Sequence, residues 1–257
     1  MSTGLSCGAQ APTPAIVVEA LTVAFGSFVA LRDLTFRSDY GQVHAVIGPN
    51  GAGKTTLLDV LTGKSRPRRG RVLLDGQTDL SRLSEVQRTL AGIGRKFQKP
   101  SVFEALTVRE NLDLALRLHR RSLAREVLAA SGRKQDAIGR SLETIGLASQ
   151  RDEPAGVLSH GQKQWLEIGM VLISEPKLLL LDEPVAGMSD GETAHTAELL
   201  RRLRGGERSI IVVEHDMAFV EQVADKVTVL HEGACLFEGA MREARRDPRV
   251  IEVYIGR

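Results

Sequence analysis

The stretch VHAVIGPNGAGKTTLLDVLTG, Val43 to Gly63, constrains the fold more than any other part of the chain. An apolar strand runs into a glycine-rich loop, and the loop runs into a helix. Within it Gly48 to Thr55 matches G-x-x-x-x-G-K-[ST]. Glycines let backbone N–H groups curl round phosphate oxygens, a lysine places a point charge between β- and γ-phosphates, and a hydroxyl is set on Mg²⁺. The phosphate-binding candidates are Gly48, Pro49, Asn50, Gly51, Ala52, Gly53, Lys54, Thr55 and Thr56, with Thr55 also a metal candidate.

Strand-like runs follow at 71–76, 177–182, 209–215, 226–233 and 234–239, and one precedes the loop at 16–25. Those at 43, 177 and 209 are apolar almost throughout, as strands buried on both faces of a parallel α/β sheet are. The mixed runs about Glu232-Gly233 read as a hairpin. The apolar strand of LLLLDEP ends in Asp182, at the carboxyl edge of the sheet where α/β folds bind ligands. Asp182 is a metal candidate acting through water. Glu183 is a candidate general base for a water attacking a γ-phosphate. SIIVVEHDM is expected to lie beside that strand and to bring His215 within reach of the same phosphate. His44, His119, His195 and His231 read as ordinary core or surface residues.

Between Pro100 and Pro154 the strand pattern gives way to helix. Thr107-Val-Arg-Glu110 is a capping box, and Leu112, Ala115, Leu116 and Leu118 are expected to face inward behind it. A second helix is expected over 123–145, bent near Gly132 and Gly139. VLSHGQKQWLEIG then opens a third helix with Ser159 at the N-cap position, and a helix start with free N–H groups is an anion site.

Composition sets outer limits. The 257 residues carry 34 Lys+Arg against 32 Asp+Glu, a net charge of +2, and this balance gives no nucleic-acid footprint. Aromatics at 4% argue against a base-stacking platform. SRPRRGR is an exposed basic turn. Cys7 and Cys235 have no metal-type neighbours, which suits a reducing compartment. The uncharged N-terminal stretch reads as a flexible tail over residues 1–14, not a signal peptide. No run of about 18–20 apolar residues offers a membrane span.

The phosphate loop, FQ, LSHGQKQ, LLLLDEP and VVEHD, in that order, resemble the ATP-binding subunits of ABC transporters from about Ile16 to Glu238. The resemblance implies an α/β P-loop ATPase core over 15–257, a helical subdomain at about 100–160, and a small antiparallel N-terminal β-subdomain. It implies ATP and Mg²⁺ as cofactors and ATP hydrolysis coupled to transport. Phe25 matches an aromatic that stacks on adenine. Gln98 matches a glutamine that contacts Mg²⁺ and the attacking water. Ser159, His160, Gly161 and Gln162 match the signature helix start, which binds the γ-phosphate of ATP held by a second subunit. Two positions depart from the usual pattern: His160 stands where glycine is common, and Ser189 where an aspartate is common, with Asp190 next.

The strings GIGRKFQKPSVFEALTVRENL, DEPVAGMSD and DPRVIEVYIGR look like the importer branch for branched-chain amino acids and amides. RKFQKPSVFE and LSHGQKQWLEIGM look most like the urea-type subunit, with branched-chain amino acid import as the alternative. A soluble ABC ATPase acting on nucleic acid or ribosomes is more distant, and an exporter subunit is a nearer rival. The resemblance implies two permease subunits, a sister ATP-binding subunit or second copy of this chain, and an external solute-binding protein, with no nucleic acid. It places the chain peripherally at the cytoplasmic face of the inner membrane, its groove at Gln98 and Pro100 to Phe103 receiving a permease helix.

Overall fold

The computed structural model of the chain describes residues 14–96, 102–121 and 131–255. The elements in order are β1 (Pro14–Phe25), β2 (Phe28–Asp39), β3 (Val43–Ile47), α1 (Lys54–Thr62), β4 (Arg69–Leu74), β5 (Thr78–Asp79), α2 (Glu85–Leu90), β6 (Ile93–Lys96), α3 (Val108–Arg121), α4 (Ser131–Ile145), α5 (His160–Leu172), β7 (Leu178–Asp182), α6 (Asp190–Leu203), β8 (Ser209–Val213), α7 (Met217–Val223), β9 (Lys226–His231), β10 (Ala234–Gly239), α8 (Met241–Ala244) and α9 (Pro248–Ile255). They form a six-stranded sheet, β10-β9-β3-β8-β7-β6, and a four-stranded sheet, β2-β1-β4-β5.

The larger sheet is parallel from β9 to β6, with β10 antiparallel at one edge. The smaller sheet is antiparallel throughout. Residues alternate between the faces of a strand, and the core follows that alternation. Leu178, Leu180, Ile211, Val213 and Val46 pack with α1 and the smaller sheet. Leu179, Leu181, Ile210, Val212 and Val43 pack with α3 to α6. Ala45, Ile47, Val227 and Val229 pack against residues of α7 to α9. A one-residue slip of β7 toward its start would draw Asp182 into this apolar interior, where an unpaired carboxylate is costly.

Several expectations are revised. Residues 28–39, not anticipated as a strand, form β2. Its buried Leu34, Phe36 and Ser38 alternate with exposed Thr35 and Arg37, the mark of a sheet covered on one face. Residues 93–96 form β6, a strand of only four residues that ends in two cations. The Thr107 box is present, with Thr107 N donating to Glu110 at 2.7 Å and Glu110 N donating to Thr107 Oγ1 at 3.1 Å. Behind it Val108, Leu112 and Leu116 are buried, but Leu118 is 60% exposed. Two residues past Leu116 lies about 200° further round the helix. The helix is not broken at Gly139, since α4 runs through it. The start of that expected helix and residues 1–13 of the expected tail lie outside the described residues, while Pro14, given to the tail, opens β1.

Candidate functional site

The phosphate loop is fixed by close backbone approaches. A Cβ on Gly48 would lie 2.2 Å from the Leu230 carbonyl oxygen, and one on Gly53 would lie 2.6 Å from that of Ala30. Both residues have positive φ, +152° and +100°, so glycine is required on two counts. Gly233 N donates to Ala52 O at 3.2 Å. The loop is thus boxed between β2 and the β9–β10 turn. Gly53 precedes α1 and supplies no side-chain cap, which leaves the first-turn N–H groups of the helix for an anion.

Lys54 lies folded into this loop. Its Nζ donates to Gly48 O at 2.6 Å and to Pro49 O at 3.0 Å. Burial pushes its ammonium pKa down, opposed by the carboxylates of Glu183, Asp182 and Glu214. Thr55 is exposed at the start of α1, and Thr56 is half-buried beside it.

The carboxyl edge of the sheet collects the remaining groups. Asp182 lies opposite Val213 in the β7–β8 ladder, and Glu183 N continues the ladder to Val213 O at 2.9 Å. At Glu183 the chain turns into the left-handed region, with φ +46°. A bulky residue before proline pays for that conformation in strain. His215 Nδ1 lies 3.8 Å from Glu183 Oε1 and 3.7 Å from Glu214 Oε2, with the ring largely exposed.

Two residues with no role assigned from the sequence, Glu214 and Arg95, hold this edge together, and a third, Lys96, is buried within electrostatic range of it. Glu214 is 1% exposed. It accepts from Val185 N at 3.1 Å, His215 N at 2.9 Å and Asp216 N at 3.4 Å. Burial raises its pKa against the pull of those three N–H donors. Arg95 bridges Asp59 and Asp182. Lys96 is buried to 1% exposure, and burial lowers its pKa against the opposing charge of Glu167. Glu214 was visible in VVEHD and Arg95 in RKFQKP, but neither position shows its tertiary partners in the sequence.

The residues suit a hydrated divalent cation. Thr55 offers a hydroxyl and Asp182 a carboxylate, and among the described residues no group of three His, Cys, Asp or Glu could hold a metal alone. Mg²⁺ commonly takes one or two protein oxygens and draws the rest from phosphate and water. Gln98, the third metal candidate, lies outside the described residues.

Phe25 is 54% exposed, not part of the core, and sits directly opposite Phe28, itself 61% exposed. The two rings flank the Gly26-Ser27 turn, and Phe28 is two residues from the Ala30 carbonyl that packs under Gly53. An exposed aromatic pair beside a phosphate loop can stack on a flat heterocycle.

Ser159 caps α5. Its Oγ accepts from Gln162 N at 3.2 Å, and Gln162 Oε1 accepts from Ser159 N at 2.9 Å. His160 turns toward the segment after β7, its Nε2 lying 3.1 Å from Ala186 O. Ser189 caps α6 in a matching box with Glu192. Trp165 Nε1 joins α5 to α6 by donating to Thr196 Oγ1 at 2.9 Å. Among the described residues no hydrogen bond links Ser159, Gly161 or Gln162 to the phosphate loop of the same chain.

A family model described as ABC transporter matches residues 31–186. The chain is 34% identical over 255 residues to the high-affinity branched-chain amino acid transport ATP-binding protein BraF of Pseudomonas aeruginosa, covering 95% of this chain and 98% of the relative. It is 34% identical over 251 residues to LivG of Escherichia coli, a protein of the same description, at 95% and 98% coverage. Among solved structures, the ADP conformation of MJ1267, an ATP-binding cassette of an ABC transporter, superposes with a TM-score of 0.84 at 30% identity, covering 95% of this chain and 99% of that one. The names of BraF and LivG agree with the branched-chain alternative and lend no support to the urea reading.

Proposed function

The chain belongs to the ABC transporter family of ATP-binding proteins, and from that premise we propose that it is the ATP-hydrolysing subunit of an importer for branched-chain amino acids. It is an ATPase coupled to transport. The observation that carries the mechanistic reading is the convergence of Asp182, Glu183 and His215 on one sheet edge, with both carboxylates within electrostatic reach of Lys54. The solute reading rests on BraF and LivG, related to this chain along almost its whole length.

In this reading the N–H groups of the Gly48–Thr56 loop cradle the phosphates, and Lys54 leaves the loop carbonyls to pair with them. Magnesium-bound ATP supplies the γ-phosphoryl group and the divalent charge that offsets it. Thr55, Gln98 and, through water, Asp182 would hold the metal. Glu183 accepts a proton from the water that attacks the γ-phosphorus, and His215 holds the γ-phosphate side of that geometry. The Phe25 ring stacks on adenine. Ser159 and the Gly161 N–H, with His160 and Gln162 flanking them, bind the γ-phosphate of a nucleotide seated in a second ATP-binding subunit. The unit spans 15–257, with the stretch at about 100–160 reaching toward two permease subunits and a solute-binding protein completing the assembly. No described helix is long and apolar enough to cross a membrane. In this reading the chain attaches at the cytoplasmic face through the permeases.

The test is transport by the reassembled complex in vesicles. Leucine, isoleucine or valine should drive ATP-dependent uptake and stimulate phosphate release. Stimulation by urea but not by these amino acids would overturn the solute assignment. Phosphate release with no uptake of any of them would overturn the importer assignment.

A further inference from the structure

One carboxylate joins two helix starts. Glu192 Oε1 accepts from Ser159 Oγ at 2.7 Å, at the cap of α5. Glu192 Oε2 accepts from Ser189 N and Ser189 Oγ, both at 3.0 Å, at the cap of α6. The approach to α5 is tight: a Cβ on Gly161 would lie 2.5 Å from Glu192 Oε1. The carboxyl pKa is lowered, first by the Ser159 hydroxyl, then by the Ser189 and Gly161 N–H groups. In the Thr107 box of α3, by contrast, Glu110 bonds its own cap. Glu192 does that and also reaches a second helix.

A serine hydroxyl has one proton to donate. Ser159 gives its proton to Glu192 while its lone pair takes Gln162 N. It cannot donate to a phosphate oxygen at the same time. A γ-phosphate arriving at the start of α5 would also meet a carboxylate already there, and like charges repel strongly when desolvated. We propose that Glu192 is the resident anion of the α5 helix start, and that closing a second subunit's ATP onto Ser159 requires Glu192 to let go. This rests on the reading that Ser159 binds a partner's γ-phosphate. It makes Glu192 a positioning residue that sets how much ATP closure needs. Because Glu192 lies in the first turn of α6, just past the turn after β7, release would also free the link between the two caps.

Sedimentation velocity of the full chain tests this, alone and mixed with its sister subunit, titrated with ATP at fixed Mg²⁺ in a Glu183→Gln background. Glu192→Gln removes the charge but keeps the α6 cap, as Gln87 and Gln162 keep theirs. Glu192→Ala removes both. The expected result is closure at about tenfold lower ATP in Glu192→Gln, about 1.4 kcal/mol, with ADP affinity unchanged. Closure in the parent with the same ATP dependence in Glu192→Gln would overturn the role of Glu192 alone. A raised ATP requirement would overturn it too, by giving Glu192 a supporting part in closure. No closure of the parent at saturating ATP would overturn the two-subunit reading, and this inference with it.

Discussion

Arg95 Nη2 lies 2.8 Å from Asp182 Oδ2, at the carboxyl edge of the parallel sheet. Its Nη1 lies 2.6 Å from Asp59 Oδ1 on α1. Arg95 stands opposite Leu180 in the ladder, and Asp182 is two residues further along the same face of β7. One guanidinium therefore ties the helix of the phosphate loop to the strand that carries the metal candidate. The planar fork of arginine suits this double bridge, and a lysine could not reproduce it.

Arg95→Ala leaves Asp182 and Asp59, both largely buried, without their shared cation. Removing one partner of a buried ion pair costs about 3–5 kcal/mol. The urea midpoint should fall accordingly, and ATP turnover with it. An unchanged midpoint would mean that water already screens both carboxylates.

Glu183→Gln keeps the shape of the side chain and removes the base. Loss of a positioned general base costs about 10²–10⁴-fold, so phosphate release should drop by that factor while ATP still binds. Turnover equal to the parent's would assign proton transfer to another group.

The loop at Gly48 and the apolar strands ending in Asp182 and Val213 were legible in sequence because each is a local pattern: a run, a turn, a helix start. β6 was not. Its Ile93, Gly94, Arg95 and Lys96 hold two cations in four residues, and apolar runs are what mark buried strands. Arg95 is tolerated in the interior because Asp59 of α1 and Asp182 of β7 pair with it, and the charge of Glu167 on α5 offsets part of the cost of burying Lys96. Glu192 was equally hidden. In sequence it is the third residue of a capping box, and its bond to Ser159 spans 33 positions.

Phe25→Ala and Phe28→Ala separate the two exposed rings. An aromatic stack contributes about 0.5–1.5 kcal/mol beyond burial. Phe25→Ala should weaken ATP binding by a corresponding two- to tenfold and leave inorganic tripolyphosphate binding unchanged. A loss confined to Phe28→Ala would move the adenine contact across the hairpin.

His44 gives a pH signature. The ring is buried against Phe36 and bonded to Thr228 Oγ1 at 2.8 Å. Burial, then Lys226, push its pKa from 6.5 down to about 3. The unfolded chain binds this proton between those values and the folded chain does not. Stability from this group is thus full above pH 6.5 and lost as pH falls toward 3, by up to about 1.4 kcal/mol per pH unit. Urea midpoints at about pH 7.5 and pH 5 should differ less in His44→Gln than in the parent. An equal difference in both would place the acid sensitivity elsewhere.

The bond from Trp165 to Thr196 has a practical consequence. Trp165 is the one tryptophan of the chain, and its indole sits where α5 meets α6, packed at 4.2 Å against the His195 ring. Any shear between those helices changes the polarity and quenching around a single emitter. The native protein therefore carries its own optical gauge, and motion at this joint can be followed by intrinsic emission without attaching a dye.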